Sequence, residues 1–392
     1  MASALLFTFG STALLLTVNA LRRLRRPGAP FPPLWLPGMI TTELAPLWIV
    51  VSAGVTAVLV IAGGLDLAVG RAGAWMVGAS IVGLGLILLR SRRAITDLEP
   101  RLTTEPIRER WPATLLGRPA ETPEDIEQTD AIPYADGLSF DIIRSRETPQ
   151  SPAPVFVYVH GGGWTGGGPH KQARRMYHTL ARAGWAVVTP RYPLAPLASI
   201  PEQVESVKAA IHHLKVNATA YGIDPDLVVL SGSSAGAHLA SLAALTDRPL
   251  FQDGFPDADT SVVACIPMYG IYDMANRRGT RPHWPYVDRD VMKSTYDQDP
   301  DTFHLVSPVD HITSDAPPFL VIHGTHDSLV PIAEAEAFVS DLEDAGATVE
   351  FVRVIGAQHG FDAVSSPVSR YVAALVTSWA NGQVRRRSRS GR

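Results

Sequence analysis

The stretch that most constrains the fold is LVVLSGSSAGAHLASLAAL, residues 227–245. It begins with LVVLS (227–231), which is typical of a buried strand, and ends in an Ala- and Leu-rich segment that is typical of a helix. The turn between them, GSSAG (232–236), has the pattern G-x-S-x-G. Between a strand and a helix, this pattern predicts a sharp turn that exposes Ser234 at its tip. Two interpretations of Ser234 follow, a helix N-cap or a nucleophile, and its setting favours the nucleophile.

Strands and helices alternate on both sides of this turn. Predicted strands cover 138–144, 154–160, 185–190, 227–231, 261–268, 319–324 and 348–354, and predicted helices cover 172–184, 201–222, 332–345 and 369–381. The alternation predicts an α/β domain with a mostly parallel, doubly wound sheet. Residues 272–305 interrupt the rhythm with many aromatic and charged side chains, which indicates a cap insertion. Cys265 is the single cysteine, and its apolar setting favours a buried core thiol.

The first 93 residues are much more apolar than the rest. Three stretches, 2–20, 44–65 and 72–89, contain no charged residue, and each is near the length that a helix needs to cross about 30 Å of hydrocarbon. We therefore predict a transmembrane helical region over residues 1–93 with three spans. A buried soluble hairpin is the alternative. A signal peptide is disfavoured, because residues 2–6 lack the charged segment that precedes its apolar core.

Arginines predict the orientation of these spans. They follow the first and third apolar stretches, as Arg22, Arg23, Arg25 and Arg26 and as Arg90, Arg92 and Arg93. The positive-inside bias places both clusters on the cytoplasmic side of the cell membrane, with the catalytic domain. A two-span hairpin gives the same side. The predicted divisions after the membrane region are a linker at 94–130, the catalytic domain at 131–383 and a basic disordered tail at 384–392.

A nucleophilic serine needs a base, a carboxylate that orients the base, and N–H donors for the oxyanion. The stretch HGGGW (160–164) ends a predicted strand, and its consecutive glycines leave N–H groups free to point at one spot. We predict an oxyanion hole formed by Gly162, Gly163 and the N–H of Ala235. A phosphate-binding loop is the alternative, but the stretch lacks the G-K-[ST] ending and the G-x-G-x-x-G spacing of such loops.

The candidate acid and base lie in two later loops. Asp327 in FLVIHGTHDSLVP is the candidate acid, and His359 in VRVIGAQHGF is the candidate base. The order Ser234, Asp327, His359 is that of the α/β hydrolases. Other polar residues nearby are rated lower: Ser233 as a turn residue, His323 and His326 as structural or rim residues, and Asp362 as a weaker rival acid. Small neighbours are predicted around the nucleophile, at Gly161, Gly232 and Gly236.

Six motifs together carry a family resemblance. They are HGGGW, RYPLAP (191–196), DPDLVVLSGSSAGAHLA, MYGIYD (268–273), HGTHDSLVP and QHGF. Over roughly residues 130–383 the chain resembles α/β-hydrolase carboxylesterases of the hormone-sensitive-lipase type. It looks most similar to the membrane-anchored branch that includes arylacetamide deacetylase and actinobacterial Lip proteins. The resemblance implies the same nucleophile, acid, base and oxyanion donors, and it makes His160 a structural histidine of the oxyanion loop.

The sequence therefore predicts a membrane-anchored serine carboxylesterase or lipase that needs no metal or organic cofactor. An amidase, formamidase or peptidase with the same triad is the alternative within the hydrolases, and a non-catalytic membrane scaffold is the alternative outside them. The expected partners are the membrane and a small-molecule or lipid ester. With 34 basic and 38 acidic residues the chain has no basic field, so no nucleic acid is expected. Trp164, Tyr272 and Trp284 are candidates to line the substrate pocket, although packing of a cap explains them equally well.

Overall fold

An eight-stranded sheet forms the centre of the protein in the computed structural model, which describes residues 1–22, 35–106, 122–147, 152–169, 171–246 and 249–390. The strands are β1 (Ile126–Ala135), β2 (Leu138–Ser145), β3 (Ala153–Val159), β4 (Ala186–Pro190), β5 (Ile223–Ser233), β6 (Ala264–Met268), β7 (Phe319–Gly324) and β8 (Val349–Val354). Their order in the sheet is β1-β2-β4-β3-β5-β6-β7-β8. Strand β2 is antiparallel to both neighbours, and all pairings from β4 to β8 are parallel. The predicted α/β class is confirmed.

Helices cover both faces of this sheet. Those of the catalytic domain are α5 (Arg174–Arg182), α6 (Ile200–Val216), α7 (Ala218–Tyr221), α8 (Ala235–Leu245), α9 (Pro300–Leu305), α10 (Ile332–Asp344) and α11 (Pro367–Ser390). Successive residues of a strand point to opposite faces, so Val155 and Val157 pack into one core with α6, α8 and α10. Phe156 and Tyr158 pack into the other core with α5 and α11. Such two-sided burial explains why the central strands are continuously apolar.

The N-terminal region forms a helical bundle. It consists of α1 (Ala2–Arg22), α2 (Trp35–Glu43), α3 (Ala45–Ile61) and α4 (Ala68–Leu98). Helices α1 and α4 are long and apolar enough to cross a membrane, whereas α2 and α3 meet at an 86° bend and count as a third span only as a pair. Helices α1 and α4 approach closely, because a Cβ on Gly10 would lie 2.3 Å from the Gly73 carbonyl oxygen.

The structure corrects two predicted boundaries. Helix α4 continues to Leu98, with Ala94 and Leu98 buried in the catalytic domain's core, and β1 already begins at Ile126, so both ends of the predicted linker at 94–130 are ordered. Helix α11 extends to Ser390 through the segment predicted to be a disordered tail. Arginine is a good helix former and is favourable at a helix C-terminus, so this basic segment prolongs the helix. Some residues of the predicted arginine cluster, linker and tail lie outside the described residues. They are Arg23, Arg25, Arg26, residues 107–121 and residues 391–392.

Candidate active site

Ser234 lies at the sharp turn between β5 and α8. Its φ of +53° is in the region that non-glycine residues rarely adopt, and its N–H is held by the Met268 carbonyl at 2.9 Å. The two flanking glycines are required by close backbone approach. A Cβ on Gly232 would lie 2.3 Å from the Gly236 carbonyl oxygen, and a Cβ on Gly236 would lie 2.1 Å from the Val159 carbonyl oxygen. This crowding explains the small residues of the G-x-S-x-G turn.

The structure brings the three predicted catalytic residues together. The Ser234 hydroxyl oxygen lies 2.9 Å from His359 Nε2, and His359 Nδ1 lies 2.7 Å from Asp327 Oδ2. The three residues are buried and come from three different loops, after β5, β7 and β8. The other carboxylate oxygen of Asp327 accepts the N–H groups of Leu329 and Val330 at 2.9 and 2.7 Å. These bonds fix the carboxylate plane toward the imidazole.

Asp327 is held as a carboxylate. Burial by itself would raise the pKa of this fully buried group. The charge and hydrogen bond of His359, and a second hydrogen bond from His323, outweigh burial and hold the pKa of Asp327 well below its usual range. His323 Nε2 lies 3.3 Å from Asp327 Oδ2 and 2.9 Å from the Val330 carbonyl. An ionised partner therefore faces His359 throughout the neutral pH range.

The predicted oxyanion loop follows β3. Gly162 and Gly163 have φ of +139° and +61°, and a Cβ on Gly162 would lie 2.1 Å from the Gly166 carbonyl oxygen. Within the described residues, the N–H groups of Gly162 and Gly163 have no hydrogen-bond acceptor, whereas the N–H of Gly161 donates to Gln172 at 3.1 Å. Unengaged N–H donors are what an oxyanion requires, and the oxyanion role of this loop stays a prediction.

His160 is buried at the base of this loop. Its ring stacks on Tyr192 with 4.4 Å between centroids, and its Nδ1 donates to the Gly161 carbonyl at 2.9 Å. The Tyr192 hydroxyl donates to the His160 carbonyl, also at 2.9 Å. Burial lowers the pKa of His160, so the ring stays neutral. These contacts fit the structural role that the family resemblance implies.

The three candidates for the substrate pocket are buried. The exposed fraction is 1% for Trp164, 0% for Tyr272 and 2% for Trp284. Tyr272 stacks on Phe338 with 4.0 Å between centroids, and Arg281 lies 4.8 Å above the ring of Trp284. All three belong to the same apolar core as the central strands. Their burial fits the packing interpretation, and substrate contact stays a prediction.

His238 supports Trp164 from helix α8. The indole Nε1 donates to His238 Nδ1 at 3.1 Å, and His238 Nε2 donates to the Val306 carbonyl at 2.7 Å. Burial lowers the pKa of His238 to about 4. Between pH 6.5 and 4 the unfolded chain therefore binds a proton at this residue that the folded chain does not, so stability falls as the pH decreases through that window.

We expect thermal denaturation in detergent to show this loss. At pH 5 His238 lowers the free energy of unfolding by up to about 2 kcal/mol relative to pH 7. A His238→Gln variant keeps one donor and one acceptor but does not titrate, so its unfolding midpoint should fall less between pH 7 and pH 5. Equal falls in the two proteins would contradict the assignment of a neutral His238.

Two aromatic residues that the sequence did not single out pack on His359. Tyr269 lies edge-on to the imidazole, with 4.7 Å between ring centroids, and Trp35 of α2 lies edge-on with 5.8 Å between centroids. The Tyr269 hydroxyl donates to Asp362, the rival acid, which also accepts from Tyr158 at 3.5 Å. Asp362 thus bonds to tyrosines, and His359 bonds to Asp327. No local pattern predicts the contact of Trp35, because about 320 residues of sequence separate it from His359.

Comparison with known proteins identifies the family of this chain. Residues 140–342, just over half of the chain, match the BD-FAE family. The chain belongs to the BD-FAE family. Esterase LipQ of Mycobacterium tuberculosis is 39% identical over 259 residues, which are 64% of this chain and 62% of LipQ. The probable carboxylic ester hydrolase LipM of the same organism is 34% identical over 391 residues, which cover 92% of this chain and 89% of LipM.

Membership of the BD-FAE family confirms the predicted kinship with carboxylesterases of the hormone-sensitive-lipase type. The alignment with LipQ spans less than two thirds of LipQ. The alignment with LipM leaves only 8% of this chain uncovered, so it includes most of residues 1–93. A truncated carbohydrate esterase from gut microbiota has the same fold, with a TM-score of 0.59 and 23% identity over 68% of this chain and 99% of that one.

Proposed function

We propose that this BD-FAE protein is a serine carboxylesterase in which Ser234 is the nucleophile, His359 the base and Asp327 the acid. The observation that carries the proposal is the continuous hydrogen-bonded chain from the Ser234 hydroxyl through His359 to Asp327, with links of 2.9 and 2.7 Å. Kinship with proteins named as esterases supports carboxylic esters as the substrate class.

The proposed reaction is acyl transfer in two steps. His359 Nε2 takes the proton of Ser234 as its oxygen attacks the ester carbonyl, and the imidazolium then protonates the leaving alcohol. Asp327 stays ionised and stabilises that cation through Nδ1. The N–H groups of Gly162, Gly163 and Ala235 stabilise the oxyanion. Water, deprotonated by His359, then releases the acid from Ser234.

The proposal includes a membrane anchor formed by residues 1–93, with the catalytic domain over 131–383 on the cytoplasmic side. Helices α1 and α4 have the length and composition to cross a bilayer. Large apolar side chains of α3 and α4 are exposed, with Ile61 at 87% and Trp75 at 82%. Such exposure is unfavourable in water and favourable in lipid. The arginines at the end of α4 support the cytoplasmic orientation.

The test compares hydrolysis of p-nitrophenyl esters, from acetate to palmitate, with that of matched p-nitroanilides, using the full chain in detergent. We expect ester cleavage to exceed anilide cleavage, and we expect stoichiometric labelling by a fluorophosphonate. Faster cleavage of anilides would favour the amidase alternative. No labelling and no hydrolysis of any substrate would favour the scaffold alternative.

A further inference from the structure

The membrane region contacts the catalytic loop directly. Trp35, the first residue of α2, packs edge-on against His359, and its ring lies 3.7 Å from the position of a Cβ on Gly360. Gly38, one turn further, packs between Asn19 of α1 and Gln358, the residue before the catalytic histidine. Helix α2 thus lies along the loop that carries the base.

The last residue of α2 and the end of α4 reinforce this docking. Glu43 is 5% exposed, and its carboxylate hydrogen-bonds with Ser366, at the start of α11. Arg90 of α4 lies 3.0 Å from His326 Nε2, one residue before Asp327. The loops of both the acid and the base therefore rest on helices that expose apolar side chains elsewhere.

His359 has two aromatic neighbours with different surroundings. Tyr269 is fully buried and tied to Asp362, so its side of the imidazole is closed. Trp35 is only partly buried, so part of its indole stays accessible to solvent while its edge contacts the imidazole. In acyl transfer the imidazolium delivers its proton to the leaving oxygen, so the leaving alcohol lies next to His359, on which Trp35 packs.

We propose that Trp35 is a specificity residue that binds the alcohol portion of the ester, and that the substrate class is esters of long-chain, bilayer-partitioned alcohols. This inference rests on the proposed function. The indole presents a large apolar face, and burial of methylene groups against such a face favours binding of a long alcohol chain. Because α2 continues into α3 at the 86° bend, the apolar bundle adjoins the proposed position of the alcohol.

The experiment measures kcat/KM for butyl acetate and decyl acetate by acid release, in wild type and in Trp35→Ala, with the full chain in detergent micelles. We expect the decyl-to-butyl ratio to fall about tenfold in Trp35→Ala. The ratio of p-nitrophenyl decanoate to p-nitrophenyl acetate, which varies the acyl chain instead, should change less than twofold. Trp75→Ala is the matched control, because Trp75 is an exposed tryptophan of the same bundle, and it should change neither ratio.

Two results would overturn the inference. One is an equal loss on all four esters, which would mean that Trp35 only packs against His359. The other is a loss confined to long acyl chains, which would put the indole on the acyl side. Trp35→Leu keeps an apolar wall and should give an intermediate decyl-to-butyl ratio if the alanine variant does not fold. A wild type that cleaves none of the four esters refutes the proposed function, whereas an active wild type with unchanged ratios refutes this inference alone.

Discussion

Replacement of Ser234 by alanine is expected to lower kcat for p-nitrophenyl butyrate by about a millionfold. The acyl-enzyme forms on the Ser234 hydroxyl oxygen, which lies 2.9 Å from His359 Nε2. The variant keeps its oxyanion donors, so a residual rate above that of water remains. The measurement is initial-rate kinetics of wild type and variant, together with covalent incorporation of a fluorophosphonate, which the variant should lose entirely.

Ser233→Ala is the matched control for this prediction. The neighbouring hydroxyl of Ser233 donates to Gln172 at 2.8 Å, whereas the hydroxyl of Ser234 faces His359 Nε2. We expect its removal to change kcat less than tenfold and to leave fluorophosphonate labelling intact. If Ser234→Ala kept more than a few per cent of the wild-type rate, Ser234 would not be the nucleophile. Loss of fluorophosphonate labelling in Ser233→Ala would then identify Ser233 as the nucleophile.

The parts of the fold that the sequence predicted well are those in which local pattern and tertiary burial agree. The runs around Val155, Val229 and Val321 are apolar because both faces of the parallel sheet are covered, and each became a strand. Strand β1 was missed because it alternates buried and exposed residues irregularly, with a register shift between Thr129 and Ile132. The basic end of α11 was missed because charge density alone does not prevent a helix from continuing.

The residues of the candidate site also differ in whether a local sequence pattern indicates them. Ser234, Asp327 and His359 each follow a strand at the same edge of the sheet, and parallel strands bring such loops together. The sequence could therefore predict their meeting. Trp35 reaches the site by docking of a distant helix, which depends on shape across an interface and leaves no periodic signal. The N-terminal helical bundle, predicted only as a membrane anchor, contacts the candidate base through Trp35.

Asp327→Asn is expected to lower kcat by about 10⁴-fold while KM changes little. In the structure one carboxylate oxygen accepts the N–H groups of Leu329 and Val330, and the other faces His359 Nδ1 at 2.7 Å. The amide oxygen of an asparagine would keep the two backbone bonds, because only an oxygen can accept them. Its NH₂ group would then face Nδ1, which must become an acceptor and move its proton to Nε2.

An imidazole with its proton on Nε2 donates toward the Ser234 hydroxyl and has no lone pair with which to accept the serine proton. The loss should therefore appear in kcat, and labelling by a fluorophosphonate should slow by a similar factor, since both begin with the same proton transfer. Asp362→Asn is the control, because Asp362 bonds to Tyr269 and Tyr158. It should lower kcat less than tenfold. A larger loss in Asp362→Asn than in Asp327→Asn would transfer the acid's role to Asp362, and His359 would then have to turn away from the carboxylate that it now faces.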